Sequence, residues 1–237
     1  MATEKAIAAT SECLNMMAEA KSTLVSIDGI GTELLPALVA WVDEKIVGYA
    51  ILQNPFMTGK MVHTALTLAA GMMVSGWHAD ALAITMEGYV EEASPFDNAN
   101  EDGPSLASRF PTDPSIQEAL WVAYASRSGD ACMGVACFTQ DVGRRVRFDD
   151  PTFSRSDQLD DFDEVGSIPW IIKNAETEVK PTPFPEGMSA DTCRKRMAAE
   201  IHQLGFTVHL DGNEPWIAQF DDPSSEETII PDHPDYF

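Results

Sequence analysis

The chain has 237 residues, of which 44% are hydrophobic and 22% charged, a composition that is typical of a globular protein. Its 38 acidic residues outnumber its 15 basic ones, so the formal net charge is −23 at pH 7. Such a charge repels duplex DNA and anionic membrane surfaces, which excludes both as expected partners. It is compatible with three roles: solubility alone, binding to a basic protein surface, or binding of divalent cations.

Three further features bear on the cellular setting. The four cysteines are scattered without a C-x-x-C pair, which indicates reduced thiols in a cytoplasm. The first 20 residues lack the basic start and apolar core of a signal peptide. The longest uncharged apolar run, Met61 to Trp77, is short for a membrane span and contains several polar residues. We therefore expect a protein of a bacterial or phage-infected cytoplasm, or of a virion, without a transmembrane segment.

Residues 1–44 are predicted to form an N-terminal helical segment. Ile7, Leu14 and Met17 fall at helical spacing and predict a first helix over residues 3–20. Thr32 is a plausible N-cap for a second helix, which would carry the apolar residues between positions 34 and 42 on one side.

Residues 45–149 are predicted to form the core. Lys45 to Leu52 has the composition of a strand, and Thr58 can cap a helix over residues 59–75. That helix carries a wide apolar stripe, formed by Val62, Leu66, Ala69 and Met73. Residues 80–87 follow as a strand whose first half is continuously apolar, a pattern typical of strands that are covered on both faces.

The second half of this core begins with a polar loop over residues 93–114. Ile116, Leu120 and Tyr124 then predict a helix over residues 115–125, residues 131–139 a strand, and residues 144–148 its hairpin partner. Strands that alternate with helices favour right-handed parallel crossovers. We therefore predict a mixed α/β fold with a largely parallel central sheet and helices on both faces.

The C-terminal part is predicted to be a linker and an appendage. Residues 150–188 are acidic and contain prolines, as expected of a linker, and Ser189 caps a helix that Gly205 closes. Strands over 206–210 and 215–220 would form a hairpin around Asp211-Gly212-Asn213. The helix and hairpin, residues 189–220, make the appendage, and residues 221–237 form an acidic tail.

The strongest candidate for a polar site is Glu87. Ligands of open parallel sheets bind beyond the carboxyl ends of the strands, and the predicted topology brings Gln53, Glu87 and Asp141 to one such edge. A carboxylate with an amide and a second acid could hold a divalent cation or act as a general base. Arg145, a fourth candidate, or Arg144 could instead pair with Glu87, which would make the cluster structural.

A second candidate is a possible metal site at residues 98–103. Asn98, Asn100 and Asp102 place oxygen ligands at alternate positions before Gly103, as in the first half of a calcium loop. Arg109 stands where the bidentate glutamate should be, so the pattern is also that of an Asn- and Asp-rich turn.

The run from Trp77 to Asp149 resembles a pattern found in proteins of unknown function from actinobacteria and bacteriophages. Its parts here are Ala79-Asp80-Ala81, the strand with Glu87 and Tyr89, the segment from Glu118 to Trp121, and the Arg144 to Phe148 strand. The resemblance covers about a third of the chain. It brings no known activity and no functional residue, and it favours a phage-like accessory protein.

Three hypotheses follow for the function. The first is an acidic, non-enzymatic accessory protein that binds another protein, for instance through a basic surface on that partner. The second is a metal-dependent hydrolase that uses Glu87 and Asp141. The third is a virion or assembly component, in which the Pro-rich segment over residues 179–186 and the acidic tail contact neighbouring subunits, with homo-oligomers possible.

Overall fold

A computed structural model describes residues 3–29, 31–53, 59–91, 106–110, 112–154 and 159–210. The helices are α1 Glu4–Asp28, α2 Gly59–Trp77, α3 Leu106–Arg109, α4 Ile168–Glu178 and α5 Ala190–Gln203, with a 3-10 turn at Asp160–Phe162. The strands are β1 Ala37–Val42, β2 Lys45–Leu52, β3 Ala81–Glu91, β4 Ile116–Ser126, β5 Ala131–Gln140, β6 Val146–Phe148, β7 Thr152–Phe153 and β8 Phe206–Leu210.

The strands form one antiparallel sheet. Its order is β6-β5-β4-β3-β1-β2-β8, with β7 also paired to β5, and every pairing among the described strands is antiparallel. The expectation of a largely parallel sheet is therefore wrong. The fold still mixes α and β structure, but antiparallel pairing of neighbouring strands replaces the predicted parallel pairing.

The error has its origin in two segments that were predicted to be helices. The segment with Leu38 and Val39 is β1, and the segment with Ile116, Leu120 and Tyr124 is β4. A spacing of four residues lies on one face of a helix, but it is also an even number and therefore lies on one face of a strand. Two extra strands between β2, β3 and β5 turn a parallel arrangement into an antiparallel one.

Helices cover both faces of the sheet. On one face, α1 packs against alternate residues such as Val39, Ala83 and Val122. On the other face, α2, α4 and α5 pack against the intervening residues, among them Leu82 and Ala123. Since side chains of a strand alternate between faces, a doubly covered strand is apolar throughout, which explains the continuous run in β3.

The C-terminal elements belong to this body. β8 pairs with β2 at the sheet edge, and α5 packs on α2, so these elements are part of the main sheet and its helix layer and do not form the predicted appendage. The second strand of the expected hairpin, over residues 215–220, and the tail lie outside the described residues. The expected linker over residues 150–188 contains β7, the 3-10 turn and α4, which packs on α2, β3 and β4.

Among the helices described, none is both long and apolar enough to cross a membrane.

Candidate functional site

Glu87 lies inside β3. The strand continues to Glu91, four residues beyond the end that the sequence predicts. Odd-numbered residues of β3 face α1, so Glu87 points into the layer between the sheet and that helix. Its side chain is 6% exposed.

A buried lysine holds this carboxylate. Lys21, on α1, is fully buried and donates its Nζ to Glu87 Oε1 at 2.7 Å and to the carbonyl oxygen of Thr32 at 2.5 Å. The backbone N–H of Leu34 donates to Glu87 Oε2 at 2.9 Å. The pair therefore joins α1, the chain before β1 and the centre of the sheet, and both carboxylate oxygens are engaged.

The position of Lys21 follows from the pattern of α1. Leu14, Met17, Lys21 and Leu24 are all buried and share the stripe that faces the sheet. The Lys21 ammonium also lies 5.0 Å from the centroid of the Phe138 ring, a cation–π arrangement. A lysine on an apolar stripe is the signal from which the partner of Glu87 could have been predicted.

Burial dominates the acid–base properties of this cluster. It raises the pKa of Glu87 above the ordinary value, against the opposing effects of Lys21 and the Leu34 N–H. It also raises the pKa of Tyr89, and the nearby carboxylates of Glu118 and Glu33 act in the same direction. Burial therefore works against the charged forms of both groups, and Lys21 and the Leu34 N–H oppose this effect for Glu87.

The other predicted site residues lie apart from Glu87. Because β2, β3 and β5 alternate with antiparallel strands, they do run in the same direction and their carboxyl ends share an edge. Glu87 is in register with Leu120 and, through it, with Ala136, five residues before Asp141. The two acids are therefore separated by about 10 Å across the sheet and about 16 Å along it.

Asp141 has a local structural role. Its Oδ1 accepts from the backbone N–H of Gly143 at 2.8 Å and of Arg145 at 3.2 Å, which shapes the turn between β5 and β6. Arg144 does not pair with Glu87; its Nη1 donates to the carbonyl oxygen of Ile27 at 3.3 Å, at the C-terminal end of α1.

Gln53 and Arg145 are also accounted for. Gln53 follows β2, on the side of β3 opposite to Asp141, and its backbone N–H donates to the Gly205 carbonyl at 2.9 Å. Arg145 is exposed in the β5–β6 turn. Neither residue shares a site with Glu87.

The predicted metal ligands give no site within the described part of the chain. Asn98, Asn100 and Asp102 lie outside the described residues. Among those described, no group of three or more His, Cys, Asp or Glu residues is placed to hold a metal ion.

A second buried acid, Glu176 on α4, was not predicted. Its side chain is completely buried, and neither oxygen accepts a hydrogen bond from the described residues. Arg127 Nε lies 3.6 Å from Oε2, while Arg127 Nη2 donates to the carbonyl oxygen of Ala79 at 3.1 Å. Burial raises the pKa of Glu176 to about 8, with Arg127 opposing and Asp80 reinforcing the shift. The sequence signal is its spacing of four from the buried Ile172.

A third polar feature is an exposed acidic turn, which we define as residues 160–165. It holds Asp160, Asp161, Asp163 and Glu164 around the buried Phe162 and ends in Val165, which is 79% exposed. The sequence predicts a linker here, whereas the structure contains a 3-10 turn anchored by a buried aromatic side chain.

Comparison of the chain with models of protein families, with curated proteins and with solved structures gave no match. The resemblance to actinobacterial and phage proteins therefore stays a prediction.

Proposed function

We propose that the chain is an acidic, non-enzymatic accessory protein that binds a partner protein through the acidic turn. The observation that carries the proposal is the combination, on one short segment, of four carboxylates with the exposed side chain of Val165. An exposed apolar side chain with a charged rim is the arrangement of many protein interfaces.

The acidic turn is anchored to the core. Phe162 is 1% exposed and packs into the cluster formed with α2 and α4. Ser167, the N-cap of α4, donates to the Asp161 carbonyl oxygen, and Lys173 on α4 pairs with Asp163. Such an anchored segment loses little conformational entropy on binding, which favours affinity.

The expected partner carries a basic surface with a small apolar recess. The net charge of −23 attracts such a surface over a long range and raises the association rate, whereas Val165 would supply contact area. A bacterial or phage-infected cytoplasm is the setting that we propose for this complex.

The two other hypotheses have less support. A hydrolase would need Glu87 and Asp141 to act together, but both oxygens of Glu87 are engaged and the acids lie far apart. An assembly arm would need a Pro-rich segment that is free of the fold. Here the backbone N–H of Thr182 donates to the Ser75 carbonyl oxygen, and the Phe184 ring stacks on the His78 ring with 3.9 Å between their centroids.

The test compares capture by the wild type with capture by a D160N/E164Q/V165S variant. V142S is the matched control, because Val142 is 96% exposed in a different turn. Tagged proteins are incubated with extract of the native host, and bound proteins are quantified by mass spectrometry at low and high salt. We expect a basic protein that the wild type and V142S retain, that high salt releases, and that the triple variant loses. Equal capture of every protein by all three would contradict the proposal.

A further inference from the structure

α4 carries a buried acid, Glu176, near its C-terminal end. Glu176 lies beside Arg127 and has a completely buried side chain that accepts no hydrogen bond from the described residues. A buried carboxylate without hydrogen bonds is unstable relative to the carboxylic acid, because burial removes the water that stabilises its charge. The protein tolerates Glu176 at this position most easily when the side chain is protonated.

The groups around Glu176 compensate its charge only in part. Arg127, in the turn between β4 and β5, lies at 3.6 Å, but it is itself 38% exposed and shares its guanidinium with the Ala79 carbonyl. Asp80, just before β3, adds a repulsive negative charge. The surrounding charges therefore do not remove the preference for the protonated form.

The remaining elements that pack on α4 bring few titratable groups near Glu176. Tyr124 on β4 interacts with it electrostatically. α2 carries Lys60 and His63 in its first turns only, and the 3-10 turn places Asp160 and Asp161 at the opposite, N-terminal end of α4.

We propose that the seating of α4 on the sheet is proton-dependent, and that ionisation of Glu176 loosens this helix. Below about pH 8, Glu176 is protonated and α4 packs through Ile171, Ile172 and Ala175. Once α4 has opened, water surrounds the Glu176 carboxyl, which then ionises at its ordinary pKa of about 4.5. As the pH rises from about 4.5 to about 8, the open form is therefore increasingly favoured, and α4 opens more often than the rest of the fold.

The sign of the effect on stability follows from linkage. A group whose pKa is higher in the folded than in the unfolded state contributes stability that is full below the unfolded value and lost as the pH rises through the folded value. For Glu176 this window runs from about the ordinary 4.5 to about 8. Within it, the folding equilibrium constant of the wild type should fall, relative to a variant without this acid, by up to about tenfold per pH unit.

The experiment measures urea unfolding of the wild type, E176Q and E178Q at steps from pH 5 to pH 9. Glu178 is exposed on the same helix and provides the matched control. We expect the ratio of the folding constants of E176Q and wild type to rise steeply with pH, and that of E178Q to stay within about twofold. A ratio for E176Q that does not change with pH would overturn the proposal.

Two measurements on the wild type keep the test independent of how well E176Q folds. Carbon-detected NMR of the carboxyl groups should show Glu176 titrating near pH 8, and titration near pH 4.5 would contradict the proposal. Hydrogen exchange, corrected for its intrinsic pH dependence, should show amides of residues 168–178 losing protection between pH 6 and pH 8 before those of α2. Unchanged relative protection would also overturn it.

Discussion

At the scale of single residues, the structure contains two buried acids in different situations. Glu87 has a buried ammonium and a backbone N–H as hydrogen-bond donors, whereas Glu176 has one partly exposed guanidinium at 3.6 Å and no hydrogen bond from the described residues. Two charges that are buried together stabilise each other, but the loss of one leaves the other without compensation. Neutralisation of Glu87 should therefore lower the free energy of unfolding, whereas neutralisation of Glu176 should raise it relative to the wild type as the pH increases.

Lys21 and Glu87 form a buried ion pair whose loss should destabilise the fold. Lys21→Met and Glu87→Gln should each lower the free energy of unfolding by about 3–5 kcal/mol, because each leaves a buried polar partner unpaired. The double variant should lose less than the sum of the two, and a double-mutant cycle by urea unfolding measures this coupling.

The exposed pair between Lys5 and Glu44 is the control for that cycle. Its nitrogen–oxygen distance is 3.2 Å and its side chains are 50% and 75% exposed. Lys5→Ala should cost less than about 1 kcal/mol, since water screens such pairs. If Lys21→Met costs no more than Lys5→Ala, the buried pair does not stabilise the fold.

At the scale of elements, α2 is a helix whose two sides differ sharply. Leu66 is fully buried between the helix and the sheet, whereas Leu68, two residues later, is 48% exposed. Leu66→Ala should lower the free energy of unfolding by about 2–5 kcal/mol, because it removes core contacts and leaves a cavity. Leu68→Ala should change it by less than about 1 kcal/mol. Equal losses in chemical denaturation would mean that α2 is seated differently.

The turn between β1 and β2 offers a stabilising change. Asp43 and Glu44 connect the strands with φ angles of 50° and 65°, the left-handed values that a two-residue hairpin turn requires. Glycine adopts this backbone without steric cost, so Glu44→Gly should raise the free energy of unfolding by about 0.5–1 kcal/mol. Glu44→Ala removes the same side chain but keeps the strained backbone, and thermal unfolding should show no gain for it. Equal effects of the two variants would contradict this account.

At the scale of the whole molecule, the dominant property is the net charge of −23. We predict that the protein does not bind duplex DNA at physiological salt, because its charge opposes that of the phosphate backbone. Fluorescence anisotropy with a labelled duplex should show no change up to high micromolar protein. A micromolar complex that weakens steeply with added salt would disprove this prediction.

The elements of the fold also show which parts of the structure sequence patterns predict. The helix over residues 190–203 and its Ser189 cap were predicted correctly, as were β2, β5 and most of α2, because caps, stripes and apolar runs are local. β4 was mistaken for a helix because Ile116, Leu120 and Tyr124 share one face in either structure. This ambiguity, together with the same one at β1, turned a largely antiparallel sheet into a predicted parallel one.

In the candidate site, too, local features could be predicted from the sequence and long-range contacts could not. The sequence predicts Glu87 as a residue of interest, because a carboxylate follows a buried apolar run. Its partner Lys21 is 66 residues away, and the contact exists only because α1 crosses β3. Likewise, the buried state of Glu176 depends on how α4 packs against the turn that carries Arg127.

The sequence by itself therefore determined the acidity of the surface, the α2 stripe, the capped C-terminal helix and the presence of doubly covered strands. These depend on composition and on periodicity within one element. Tertiary structure decided the antiparallel strand order, the burial of Lys21 against Glu87 and the burial of Glu176 beside Arg127. The physical reason is that strand direction and ion pairing depend on contacts between segments far apart in the chain. There, burial of the apolar helix faces outweighs the local conformational preference of any one segment.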